Sequence, residues 1–399
     1  MIIELIIAVL IGVLLGTITG LTPGIHINLI SALVVAFSAK LLGYFQPIYI
    51  ATALVSMAIT HTFLDVLPTT FLGVADSENA ISTLPSHKLL LEGKAKESII
   101  LALVGSFLGL ISIIIVSPII LNLIPKFYDL IKDHVAKILI ILSAIIIYQS
   151  KDKKLALTIF VLSGVLGILT FSLKTLTQPL FPMLSGLFGI SALIIGMKNK
   201  ITIPKQKENI KINIKKSSLL KNLSSSILAS LFTSFLPGLT SSHTTAVASA
   251  INKIEDNKDY IIINNSITTI SMFLSVVALY SIEKARNGVI VALSNIITIS
   301  KMHIFFFASV ALVAAFVSIF LTLKITSLFI KIFPKLNYRI LCLLIISFIC
   351  MLTSYISGFL GILVLFVSTL IGIAALLLDI ERTHLMGVLI LPIIFYFML

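Results

Sequence analysis

Charge is the first thing this chain has little of. Of its 399 residues, 11% are charged and 58% are hydrophobic, whereas a soluble domain carries about 25% charged residues. That scarcity excludes an ordinary water-soluble enzyme or binding module. Cysteine is nearly missing: Cys342 and Cys350 share one apolar run and read as small core residues, not as a disulfide or a metal pair. Catalytic signatures are missing as well. There is no His-Glu-x-x-His, no Gly-x-Ser-x-Gly and no P-loop Gly-Lys-Ser/Thr, which argues against zinc hydrolysis, serine hydrolysis and nucleotide-driven pumping. The enzyme reading that survives would place catalysis at Asp65 with Asp76 or Glu78; the expectation is that the protein is not an enzyme. The run opened by Met1-Ile2-Ile3-Glu4 lacks the basic flank and small-residue cleavage site of a secretory signal, so it is expected to stay as a span. Strict in–out alternation over ~10-residue units is absent too, which disfavours a membrane barrel.

What is present is apolar length. Runs such as Ile99 to Ile124, Ile340 to Tyr355 and Phe359 to Leu378 reach or approach the roughly 20 residues a helix needs to cross a bilayer. The expected fold class is therefore an all-α integral membrane protein, a polytopic helical bundle. The net charge of +13 would suggest nucleic acid in a soluble protein. Here the lysines sit in short connections, where they orient the chain and meet anionic headgroups, so no nucleic acid partner is expected. The stretch from Lys198 to Asn222 holds many lysines against one acid, Glu208, and reads as a cytoplasmic linker of the cell membrane protein. Counting spans back from it puts Lys151–Lys154 inside, Lys126–His134 outside and Lys88–Lys96 inside.

Two polar, helix-breaking islands stand in this apolar sequence. The first runs Gly20-Leu21-Thr22-Pro23-Gly24-Ile25-His26-Ile27-Asn28, and the second Leu236-Pro237-Gly238-Leu239-Thr240-Ser241-Ser242-His243, about 214 positions later when Pro23 is laid on Pro237. A Pro-Gly break in the same place of two halves suggests a transporter built from inverted repeats, with residues 1–198 as the first repeat, 199–222 as the linker and 223–399 as the second repeat. The basic connection Lys324–Arg339 would then face the cytoplasm, opposite to its counterpart Lys126–His134. Proline withholds an N–H and glycine accepts unusual angles, so each break frees backbone groups at bilayer depth, tolerated only where protein or a water-filled cavity satisfies them. A helix restarting there aims its N–H groups and positive dipole end at the cavity, which suits an anion. Thr22, Pro23, Gly24, His26 and Asn28, with Pro237, Gly238, Thr240, Ser241, Ser242 and His243, are the candidate substrate-binding residues. The bland alternative is a pair of kinked spans whose hydroxyls bond their own helices. His26 and His243 are not at equivalent positions, so no shared metal site is expected. Hydropathy alone leaves open whether each break makes a re-entrant hairpin or an interrupted span.

A second polar series lies between Tyr49 and Val74. Thr52, Ser56 and Thr60 line one helix face, and Asp65 follows in an apolar surround, where an ionised carboxylate costs at least ~2.5 kcal/mol unless water, a cation or a partner meets it. Asp65 either caps the helix break that Pro68 makes, lines a polar cavity, or belongs to a coupling-ion site with Thr69 and Asn265. The second half offers Asn264, Asn265, Ser266, Thr268, Thr269, Ser271 and Ser275 in the corresponding place, without a carboxylate.

Taken together, the two islands, the region Pro68 to Gly93, and Ser185-Gly186-Leu187-Phe188-Gly189-Ile190 make the chain resemble the large membrane subunit of the tripartite tricarboxylate transporters. The resemblance covers most of the chain. It implies a secondary transporter that imports a small organic anion of di- or tricarboxylate type, coupled to Na+ or H+, with no other cofactor. It also implies a small membrane subunit and an extracytoplasmic binding protein as partners, beside the lipid bilayer; a homodimer is the candidate self-assembly. A polyprenyl-phosphate or other phosphate-lipid translocase is the alternative, since a phosphate headgroup suits the same helix ends.

Overall fold

The computed structural model describes residues 2–22, 27–73, 83–131, 134–176, 178–198, 204–207, 214, 216–235, 241–252, 254, 256–285, 287–335 and 337–398, and among them there is no strand. In the first half, α1 (Ile2–Leu21) and α2 (Ile27–Ala36) flank the first Pro-Gly break, and α3 (Ser38–Tyr44) leads to α4 (Pro47–Leu64). Pro47 sits in the first turn of α4, where its missing N–H costs nothing and its fixed φ suits the helix. Beyond Asp65 comes α5 (Val66–Leu72), then the short α6 (Thr83–Leu91), α7 (Ala95–Ile131), α8 (Val135–Gln149) and α9 (Lys153–Ser172). Asp152 starts α9 by accepting from the N–H groups of Lys154 and Leu155. The half closes with α10 (Leu180–Leu184), a π-helical turn at Ser185–Ile190 and α11 (Ser191–Lys198).

The second half runs in the same order. Its elements are α12 (Lys216–Phe235), the second break, α13 (Ser241–Asn252), α14 (Asn257–Ile282), α15 (Gly288–Ile296), α16 (Lys301–Ile332), α17 (Tyr338–Leu377) and α18 (Gly387–Met398). Side chains of Asp256, Asn287, Ser300 and Asn337 cap α14 to α17, which places helix starts in the polar connections. Gly358, at φ 62 and ψ −158 with open space around it, bends α17 into two arms, a backbone that only glycine takes without strain. Among the described residues eight helices are long and apolar enough to cross a membrane by length and composition, so the chain is an all-α, multi-pass membrane protein.

Two helices form the centre. The apolar window of α14 is 100% buried and that of α4–α5 is 89% buried, against 33% for α1. Around them the halves exchange partners: α4 packs on α16 and α14 on α7, while α17 packs on α10–α11 and α18 on α9. Hydroxyls fix these contacts. Ser318 Oγ donates to Thr60 Oγ1 at 3.1 Å and Thr322 Oγ1 to the Phe63 carbonyl at 3.2 Å, while Ser266 Oγ donates to the Gly105 carbonyl at 2.9 Å. The central helices themselves meet where Thr269 Oγ1 donates to Thr62 Oγ1 at 3.4 Å.

The ends of the helices establish their directions. At one end of the bundle His87 Nδ1, on α6, lies 2.9 Å from the Thr70 carbonyl near the end of α5, and Lys258, at the start of α14, pairs with Glu97, at the start of α7, at 2.7 Å. α4–α5 therefore finishes where α14 begins, and the two run antiparallel. Gln206 joins the same end: its Nε2 donates to the Leu90 carbonyl at 3.0 Å and its Oε1 accepts from the Ala95 N–H at 3.0 Å. Phe333, just past α16, stacks on Phe71 there with centroids 4.9 Å apart. The basic segments around Lys88–Lys96, 204–207 and Lys324–Arg339 thus share one end, called the linker end below.

Candidate functional site

The described helices on either side of each Pro-Gly break are the two arms of a hairpin. Ser56 Oγ donates to the Val9 carbonyl at 2.9 Å and His61 Nδ1 lies 3.1 Å from Thr19 Oγ1, so α1 and α4 run parallel and the chain between them must double back. In the second half the return arm is seen directly: Thr233 Oγ1 lies 2.7 Å from Thr244 Oγ1, and Asn252 Nδ2 donates to Ser225 Oγ at 2.8 Å. Asn222 Nδ2 donates to Asp259 Oδ1 at 2.7 Å, so α12 in turn runs parallel to α14. The close approach of α1 to α4 depends on Gly12, Gly16 and Gly20. A Cβ on Gly12 would stand 2.4 Å from the Ala53 carbonyl oxygen, and one on Gly16 2.6 Å from that of Met57.

Of the residues expected to bind substrate, the structure describes those on the flanks of the two breaks. Thr22 closes α1, its N–H donating to the Ile18 carbonyl at 3.1 Å. Pro23, Gly24, His26, Pro237, Gly238 and Thr240 lie outside the described residues, as do the side chains of Asn28, Ser242 and His243. Ser241 is buried at the start of α13, where its carbonyl accepts from Thr244 Oγ1 at 3.1 Å and Thr245 Oγ1 at 2.7 Å. Thr245 Oγ1 also lies 3.2 Å from Asn264 Oδ1 of α14. Each hairpin therefore engages a central helix just below its turn, through Thr19 and His61 in one half and Thr245 and Asn264 in the other. An open, mostly apolar cavity of about 410 Å³ adjoins the second hairpin, with Leu139, Ser143, Phe232, Thr244, Ala248 and Asn252 in its wall.

Asp65 is 5% exposed and forms the junction of α4 and α5. Its N–H donates to the His61 carbonyl at 3.0 Å, and its carbonyl accepts from Thr69 Oγ1 at 2.8 Å. The side chain makes no cap hydrogen bond to the turn that follows. The Thr69 hydroxyl proton is committed to that carbonyl, and only its lone pairs remain to offer a cation. Asn265 uses its Nδ2 on the Ile261 carbonyl at 2.8 Å and its own backbone carbonyl accepts from Ser106 of α7 at 3.4 Å. Among the described residues no three metal-ligating side chains converge; what α4 and α14 bring together is a column of hydroxyls and amides, with the Asp65 carboxylate at the end of α4.

The linker end holds a group of polar residues that sequence reading passed over. Arg382, in the 3-10 turn Arg382–Met386, is 7% exposed, and Tyr260 of α14 has a buried hydroxyl. Burial holds His87 below the usual histidine value; the Arg382 charge acts in the same direction and the Thr70 hydrogen bond opposes it. The only signal was a lone arginine in Asp379-Ile380-Glu381-Arg382-Thr383-His384, a segment that looks like a solvated turn until packing encloses it.

Comparison with known proteins agrees with this architecture. The model of the tripartite tricarboxylate transporter TctA family matches residues 6–387. An uncharacterised protein of Methanocaldococcus jannaschii is 31% identical over 389 residues, covering 94% of either chain. No solved structure matches the chain. The family match runs through both hairpins and both central helices, and so the chain belongs to the TctA family, multi-pass membrane proteins of tricarboxylate-transporter type.

Proposed function

We propose that this protein is a secondary transporter that moves a small organic anion of di- or tricarboxylate type across the cell membrane, driven by a Na+ or H+ gradient. The observation that carries the reading is the pair of hairpins, each hinged on a Pro-Gly break and each docked by a hydroxyl onto one of two buried, antiparallel central helices. In this reading residues 1–198 and 223–399 are inverted repeats joined by the cytoplasmic linker 199–222, and the anion sits between the two hairpin turns, where α2 and α13 present their N-terminal N–H groups. The partner exchange between halves supports it, because two-fold packing makes every contact occur twice. Asp65 is the coupling residue: a buried acid one turn from Thr62 can take a proton or face a cation. In a tripartite assembly the small membrane subunit and the binding protein deliver the anion.

The test is uptake of radiolabelled citrate, succinate and related carboxylates into proteoliposomes that hold the chain with its small subunit and binding protein, under Na+ or H+ gradients. Gradient-driven uptake of at least one carboxylate is expected. Absence of uptake for all of them under both gradients, with a lipid phosphate bound instead, sinks the proposal.

A further inference from the structure

A buried positive charge at the linker end has no salt-bridge partner among the described residues. Arg382 is 7% exposed, and its Nη1 has no acceptor among the described residues. The adjacent Glu381 is exposed and turns its Oε2 to Thr383 Oγ1 at 3.2 Å. An arginine keeps its proton in a protein, and a buried guanidinium carries a large desolvation cost unless an anion meets it. Where the protein itself provides no such anion, an external one completes the site.

Several elements bring polar groups to this end of the bundle. His384 anchors the 3-10 turn to the α8–α9 connection, with its Nε2 2.6 Å from Ser150 Oγ, and its carbonyl accepts from Ser163 Oγ at 3.2 Å. The turn also packs against α13, the return arm of the second hairpin. From α14 comes Tyr260, whose hydroxyl is buried with no partner among the described residues, and on which the Glu381 charge acts. From α6 comes His87, within reach of the Arg382 charge and already using Nδ1 on the Thr70 carbonyl. A guanidinium fork and a phenol, both inside and both short of acceptors, match an oxyanion with several lone pairs.

We infer that Arg382 and Tyr260 form an anion-binding station at the linker end, which takes a carboxylate or phosphate group and lies apart from the hairpin turns. Three elements from both halves build it, the α6 connection, the start of α14 and the turn before α18, so occupancy ties together parts of the bundle that the linker alone joins covalently. The station does not depend on the hairpin site, and an anion held there is on the side to which the basic connections point.

Equilibrium binding to the purified full chain tests this with three probes: radiolabelled citrate, inorganic phosphate, and phosphatidylglycerol in nanodiscs compared with phosphatidylcholine. The wild type should hold one equivalent of anion that Arg382→Gln lacks. Arg382→Lys, a point charge without the fork, should weaken that equivalent about tenfold, and Tyr260→Phe a few-fold. The probe that competes best identifies the source as substrate-like carboxylate, free phosphate or lipid headgroup. If Arg382→Gln does not fold, Tyr260→Phe carries the test. The inference is overturned if Arg382→Gln, or in its place Tyr260→Phe, binds every probe with wild-type stoichiometry and affinity, or if the wild type binds none of them. Uptake without an Arg382-dependent equivalent defeats this inference alone; an Arg382-dependent equivalent without uptake defeats the transport proposal alone.

Discussion

The two hairpins share a scaffold and differ in what lines it. With Pro23 laid on Pro237, Gly12, Gly16 and Gly20 of α1 fall on Ser226, Ser230 and Ser234 of α12. Both trios face the central helix of their own half. In the first, bare backbone touches α4, with no room for a Cβ; in the second, Ser226 and Ser230 place their hydroxyls 3.4 and 3.5 Å from the carbonyls of Ile263 and Ile267 while donating at 2.8 and 2.6 Å to Asn222 and Ser226 of their own helix. Gly12 faces Ser56 as Ser226 faces Ile263, and continuing that register puts Thr62 on Thr269, the pair that meets between the central helices. The same register lays Asp65 on Met272. Small residues repeat because both hairpins must seat closely. The carboxylate does not repeat, so an acid at this depth of a central helix belongs to the first half only.

This comparison can be broken most violently at Gly16. Gly16→Leu places a Cβ 2.6 Å from both the Met57 carbonyl oxygen and Thr60 Cβ, and overpacking of a close helix contact costs about 3 kcal/mol or more. Gel filtration should show mostly aggregated protein, whereas monodisperse protein with wild-type Tm would mean that the first hairpin is not seated on α4 as described. Next comes the asymmetry in charge. Asp65→Asn should lower gradient-driven uptake at least about tenfold, 1.4 kcal/mol on a rate or affinity scale, with Tm nearly unchanged, while Met272→Leu leaves uptake intact; equal effects from both would erase the distinction between the halves.

A smaller effect is expected at His87, which packs on Thr70 at the linker end. Burial lowers its proton affinity below the ordinary value of 6.5, so the fold favours neutral imidazole. The stability this provides is fully present above pH 6.5 and is lost as pH falls from there through the lowered folded value. Thermal unfolding at pH 7.5 and 5.5 should therefore show a drop in Tm that shrinks in His87→Gln; a drop of the same size in both would assign it to other groups. Smallest of all is Ser230→Ala. Its hydroxyl bonds mainly to its own helix, so its loss should cost about 0.5–1.5 kcal/mol and leave a folded, monodisperse protein, in contrast to Gly16→Leu.

Much of this architecture is legible in the chain itself. Apolar length and sparse charge establish a helical membrane protein, because no other regular structure of such segments satisfies its backbone in lipid. The Pro-Gly breaks and the four-residue spacing of small residues are local signals, and the hairpins follow them. The grouping of Lys88–Lys96 with the linker also follows, since lysine placement reflects which connections stay on one side. Whether each island was a hairpin or an interrupted span was beyond hydropathy, because both have the same composition; parallel packing of α1 with α4 and α12 with α14 distinguishes them.

What the sequence by itself determined about this protein is therefore its solvent, its helices and the places where they break, all set by composition and by neighbours within a turn or two. Only the tertiary structure decided which polar residues face one another: Thr62 with Thr269, Thr19 with His61, and Arg382 enclosed at the linker end. Those contacts join residues far apart in the chain, and their register is set by how closely backbones approach at glycine and serine seams. Asp65 illustrates the division. Its spacing marked it as an acid in apolar surroundings, but its burial on one of the two central helices arises from packing against both halves.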